Sequence, residues 1–163
     1  MSRRVIITMS VKRSGVRLAL VLAVFLSASA LGSATAGAVG LDDYLWERRP
    51  LLVFAPTEGD PRLLETLARI EASRCEFADR DMVLGLVVTE GTSTLDSQVI
   101  TAEESRRLAD EYAVGDNAFA VALIGKDGTE KLRVDDVPDL RRIYAVIDGM
   151  PMRGRETSAA IRC

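Results

Sequence analysis

The sequence predicts an α/β domain with a mixed, four-stranded sheet flanked by helices. Three observations carry that reading. Two continuous apolar runs enclose one helical stripe, an Asp-Gly turn joins two later strand-like segments, and an amphipathic helix follows them. Apolar runs without alternation suit strands buried on both faces, whereas helices show their apolar residues at a period near 3.6.

Leu41 to Trp46 forms a short amphipathic lead, with Tyr44 and Trp46 placed to cover the core. After Pro50, Leu51-Leu52-Val53-Phe54-Ala55 is apolar throughout and reads as a buried strand. Asp60 offers an N-cap and Pro61 the first helical position, and Leu63, Leu64, Leu67 and Ile70 continue one stripe to about Cys75. Met82 to Val88 repeats the buried-strand pattern, so the two strands form a parallel crossover pair.

A polar stretch, Thr89 to Ser97, separates this unit from Thr101-Ala102-Glu103-Glu104, a capping box that opens a helix through Tyr112. Phe119 to Ile124 and Lys131 to Val134 flank Gly125-Lys126-Asp127-Gly128 and read as an antiparallel hairpin. Pro138 to Asp148 then places Leu140, Ile143, Tyr144 and Ile147 on one helical face, with Gly149 as its stop. Strand, helix, strand, helix, hairpin, helix is the order of the thioredoxin fold.

The segment before this domain has a different character. Met1 to Arg17 carries Arg3, Arg4, Lys12, Arg13 and Arg17 and no carboxylate, Leu18 to Leu31 is an apolar run, and Gly32 to Ala38 contains only small residues. That succession is a cleavable signal peptide spanning 1–36, with cleavage after Ala36 and Ala38 as the near alternative. Retention as a membrane anchor is the competing reading, although the run falls short of the roughly 20 apolar residues a bilayer requires. Ser2-Arg3-Arg4 resembles a twin-arginine signal, but it lies well ahead of the apolar run, and Met9 is an alternative start. The general secretory route fits best, and the product is soluble in the periplasm or outside the cell.

Removal of 1–36 takes away five of 21 basic residues and none of 24 acidic ones, leaving 16 against 24 and a net charge of −8. Such a domain has no basic surface for nucleic acid, and nothing after the leader inserts stably into a membrane. The chain contains no histidine, which excludes histidine triads, histidine general bases and the usual zinc sites. No motif calls for a cofactor. Residues 37–152 make up the domain, and 153–163 form a charged tail.

Several segments together resemble a known family: Tyr44-Leu45-Trp46, Arg49 to Pro56, Arg80-Asp81-Met82, Leu123 to Gly128, Lys131-Leu132-Arg133 and Ile147 to Arg153. They are similar to DUF4174, a family of exported bacterial thioredoxin-like or peroxiredoxin-like domains of unknown function. The resemblance covers nearly all of 37–152 and implies fold and compartment; it assigns no activity.

Thiol oxidoreductases of this fold keep a cysteine nucleophile at the start of the first helix, where free amides and the helix dipole lower its pKa. Here that turn reads Pro56-Thr57-Glu58-Gly59-Asp60-Pro61-Arg62 and holds no sulfur. A proline before the third main strand is also absent, since Asp116 to Phe119 occupies that region. The domain therefore reads as a non-catalytic module that binds an unknown protein or small molecule. Candidate contacts are Thr57, Glu58, Asp60 and Arg62 at the helix start and Lys126 and Arg133 on the hairpin. The simpler reading makes Asp60 a cap and the hairpin cations an edge-protecting surface.

Cys75 and Cys163 are the two cysteines. They are either a small apolar side chain and a terminal thiol, or a disulfide, or the remnant of a divergent oxidoreductase or peroxidase acting through Cys75. Asp135, Asp136 and Asp139, together with Asp116, have oxygen ligands but no EF-hand spacing, and capping of the last helix by Asp135 or Asp136 explains them without metal.

Overall fold

A computed structural model describes residues 39–156. The predicted signal peptide, its cleavage site and Cys163 lie outside the described residues. The elements run as a 3-10 turn (Leu41–Tyr44), β1 (Arg49–Thr57), α1 (Pro61–Ala72), α2 (Arg74–Asp79), β2 (Met82–Glu90), β3 (Thr94–Leu95), β4 (Gln98–Val99), α3 (Ala102–Glu111), β5 (Ala120–Ile124), β6 (Glu130–Val134), α4 (Leu140–Asp148) and a second 3-10 turn (Arg153–Arg155).

One sheet holds all six strands in the order β4-β3-β2-β1-β5-β6. β1 pairs parallel with β2, Leu51 against Leu84 and Phe54 against Val87, and antiparallel with β5, Leu51 against Leu123. The mixed α/β sheet and its helices are those expected from the element order. The expectation of four strands is corrected to six.

The two additional strands lie in the stretch read as polar. Asp96 and Ser97, with φ of 50° and 66°, link β3 to β4 as a two-residue turn with both central residues left-handed. Both residues tolerate that conformation less easily than glycine, so the usual hairpin signature is missing from the sequence. Leu95 is wholly buried and anchors the hairpin against the sheet.

The predicted first helix is interrupted at Ser73, whose φ and ψ are −121° and 30°. Its hydroxyl accepts or donates at 2.7 Å to the Tyr144 hydroxyl and reaches back to the Arg69 carbonyl at 3.0 Å. A side-chain bond to the preceding turn competes with helix propagation, and the chain restarts as α2. The final helix begins at Leu140, and its cap is Asp139, which accepts from the Arg141 amide at 3.0 Å. That corrects the assignment of the cap to Asp135 or Asp136; Asp136 instead accepts from Val137.

Alternation along β1 divides the core. Leu51, Val53 and Ala55 face a cluster with Leu63, Phe77, Leu140, Ile143, Tyr144 and Ile147. Leu52 and Phe54 face the opposite cluster with Tyr44, Leu95, Ile100, Leu108 and Tyr112. Helices α1, α2 and α4 thus cover one face of the sheet and α3 the other. Tyr44 joins the core as expected, but Trp46 does not: it is 66% exposed, at a φ of 67°.

Gly85 is required by close approach. A Cβ there would lie 2.5 Å from Leu52 Cδ2 and 3.1 Å from Leu95 Cδ1, and both leucines are wholly buried. Gly85→Ala is expected to destabilise the domain by about 1–3 kcal/mol, seen as a lower urea midpoint at unchanged slope; an unchanged or raised midpoint would show that the leucines yield freely.

Candidate functional site

The parallel strands β1 and β2 end side by side, and ligands of open α/β sheets bind beyond the carboxyl ends of such strands. The turn from β1 into α1 is held by its own side chains. Asp60 Oδ1 accepts the Arg62 amide at 2.8 Å and Arg62 Nε at 3.1 Å, while Asp60 Oδ2 accepts a second guanidinium nitrogen at 2.7 Å. The Arg62 guanidinium then lies 4.9 Å from the centre of the Phe119 ring, a cation-π contact.

These bonds set the electrostatics of the helix start. The hydrogen bond from the Arg62 side chain is the main reason the Asp60 carboxyl sits below the ordinary carboxylate range, against an opposing effect of its burial. The positive end of α1, where an oxidoreductase would hold a thiolate, is therefore already occupied by an intramolecular carboxylate.

Glu58 closes the other side of this turn. Its Oε1 accepts the Thr92 amide at 2.6 Å, and a Cβ on Gly91, at φ 135°, would come within 2.6 Å of the same oxygen. The carboxylate straps the β1–α1 turn to the β2–β3 turn. Thr57 ends β1 beside it, half-buried. Thr57, Glu58, Asp60 and Arg62 are thus brought together as expected, with three of the four committed to bonds within the domain.

Lys126 and Arg133 are not part of this group. Lys126 lies beside Arg49, the first residue of β1, and its Nζ is 2.8 Å from both Asp81 and Glu156. It is only 8% exposed, so it is an interior cation and not part of a hairpin surface. Arg133, on β6, donates to the Tyr112 carbonyl at 2.6 Å and pairs with Glu130. The topology separates Lys126 from Thr57 by the length of β1, about 26 Å at 3.3 Å per residue.

Cys75 lies on α2, away from the start of α1, and is disulfide-bonded. Asp136 and Asp139 accept from the Val137 and Arg141 amides, and among the described residues no group of three or more acidic or cysteine side chains is spaced to hold a metal ion. Among the same residues, no helix is long and apolar enough to cross a membrane.

Sequence reasoning missed a crevice of about 540 Å³ on the α3 side of the same strand ends. Phe54, Val87, Ile100 and Val114 contribute apolar walls, and Thr89, Ser93, Thr101, Ser105 and Arg106 contribute polar groups. Ser93 is buried, accepts from the Val88 amide at 3.0 Å, and meets the Ser105 hydroxyl at 2.9 Å. The β3–β4 hairpin forms one wall through Val99 and Ile100. Its signal was the pair Thr94-Leu95 and Gln98-Val99 across Asp96-Ser97, too short to stand out as alternation.

The domain of unknown function DUF4174 matches residues 40–156, and the chain belongs to that family. It is 25% identical over 143 residues to coiled-coil domain-containing protein 80 of Danio rerio, covering 76% of this chain and 16% of that protein, so the chain spans about one sixth of that relative's length. Among solved structures, the reduced 2-Cys peroxiredoxin of Plasmodium vivax superposes with a TM-score of 0.52 at 13% identity, covering 71% of this chain and 85% of that one. Thioredoxin peroxidase I of Plasmodium yoelii gives 0.48 at 17% identity, with 76% and 85% covered. The superposition on the Plasmodium vivax protein shows a thioredoxin-like fold.

The cap predicts a measurable pH dependence. Asp60→Ala is expected to cost about 1 kcal/mol near neutrality, as loss of an N-cap does. Because the folded carboxyl is depressed, its contribution is present above the unfolded value near 3.9 and fades as pH falls below it. Urea midpoints of wild type and Asp60→Asn should therefore stay apart above about pH 4 and converge as the pH falls below it; a gap that widens on acidification would contradict the ion pair.

Proposed function

We propose that this DUF4174 domain is a non-catalytic binding module that takes a small, largely apolar molecule bearing a hydrogen-bonding group. The observation that carries the reading is Asp60: its carboxylate caps α1 at the position where redox chemistry on this fold needs a thiolate. Without the sulfur, the strand ends retain a crevice and lose the nucleophile.

The crevice supplies the remainder of the argument. Its volume falls within the ~300–1,000 Å³ of small-molecule sites, and such sites combine apolar walls with a few placed polar groups. Ser93 is engaged with both backbone groups of Val88, so the Ser105 hydroxyl bonded to it is the group that offers a ligand an acceptor. Arg106 stands at the rim with Glu103 as its partner and favours no net anion strongly. The domain works after export, in the periplasm or outside the cell, a reading supported by the basic and then apolar leader.

A divergent thiol oxidoreductase or peroxidase using Cys75 is the competing reading, and the peroxiredoxin-like fold is what favours it. Fold likeness supplies no chemistry, and Cys75 lies on a short helix in a disulfide. The purified protein is expected to show no peroxide turnover or insulin reduction above buffer, while native mass spectrometry detects bound small molecules that Ala109→Phe displaces. Turnover that disappears in Cys75→Ser, with no ligand bound, would overturn the proposal.

A further inference from the structure

At the opposite end of β1, charged residues from distant parts of the chain meet in the interior. Arg49 is wholly buried, and its guanidinium donates to Glu156 through two nitrogens at 2.6 and 3.1 Å and to the Arg80 carbonyl at 2.9 Å. Lys126 Nζ reaches the same Glu156 carboxylate at 2.8 Å, and Arg153 approaches it at 3.5 Å. Arg153 in turn binds Asp79, at the end of α2, through side chain and carbonyl.

Three cations from β1, the β5–β6 turn and the second 3-10 turn surround one carboxylate, with Asp81 sharing Lys126 at 2.8 Å and standing 3.9 Å from Arg49. Arg49 Nε, also buried, has no acceptor. A guanidinium desolvated to this extent depends on its fork of carboxylate bonds, and removing that partner leaves an uncompensated buried charge. Burial would raise the Glu156 pKa, but bonds from Arg49 and Lys126 outweigh it and hold the carboxyl at about 2.

We propose that Arg49, Lys126 and Arg153 form a carboxylate socket whose resident is Glu156 of the same chain, and that seating it docks the C-terminal segment beside α2 and directs Cys75 to pair with Cys163. Cys75 lies one helical turn, about 6 Å of rise, before Asp79. Cys163 lies seven positions after Glu156 in the sequence, a reach of at most about 25 Å, so docking raises the effective concentration of one thiol at the other. In the pairing step the two thiols give up two electrons and two protons as the sulfur–sulfur bond forms. A small disulfide such as oxidised glutathione accepts them and leaves as two thiols.

The test is oxidative refolding of the reduced chain in a glutathione buffer, with pairing followed by acid quench, alkylation and mass. Glu156→Ala is expected to slow intramolecular pairing about ten-fold or more through lost effective concentration. Added formate should recover the thermal stability of that variant by filling the socket, yet leave pairing slow because the tail is no longer tethered. Pairing at the wild-type rate, a disulfide formed only between chains, or no recovery by formate would each overturn the proposal. If the variant does not fold, hydrogen exchange on reduced wild type decides: the Glu156 amide, bonded to the Arg153 carbonyl, stays protected if the socket holds the segment and loses protection if only the disulfide does.

Discussion

Strand β1 is the constraint to which the rest of the domain conforms. From Leu51 to Ala55 it is almost wholly buried, with strands on both edges and helices on both faces, so each residue's side is fixed. A slip of one residue would carry Leu51 and Val53 into the α3 cluster and Leu52 and Phe54 out of it. The two ends of the strand resist that slip in different ways. Arg49 is fixed by Glu156 and the Arg80 carbonyl, and the Thr57–Asp60 turn is fixed by the Asp60 cap and the Glu58 strap.

Those two ends also divide the molecule's chemistry. The amino end of β1 gathers charges that satisfy one another inside the protein, and its residues include many that carry the family resemblance: Arg49, Arg80, Asp81, Lys126 and Arg153. The carboxyl end of β1 holds the crevice, where polar groups border apolar walls. Where thiol chemistry on this fold places its nucleophile, the chain holds an internal carboxylate at the helix terminus. The physical consequence is that the α1 dipole is spent on Asp60 and is not available to activate a nucleophile.

Much of this fold was legible in the sequence because its signals are local. The apolar runs of β1 and β2, the Thr101 cap at the start of α3, the Asp127-Gly128 turn and the α4 stripe each specify an element without reference to the others. What escaped was set by tertiary contact. Asp96 and Ser97 adopt left-handed conformations without glycine, so the β3–β4 hairpin and the crevice wall it forms were hidden. Lys126 looks like a surface cation of the hairpin until the fold brings Asp81 and Glu156 to it. Of the candidate site, the helix-start cluster was readable from capping rules, whereas Ser93 and Ser105, twelve residues apart, meet only across the hairpin.

Mapping a fragment screen onto the amides of the isotopically labelled protein by nuclear magnetic resonance tests the central claim most directly. The account predicts chemical-shift changes centred on Ser93, Thr101, Ser105 and Val114, with Cys75 and its neighbours on α2 undisturbed. Changes confined to α2 around Cys75, with the crevice silent, would contradict it.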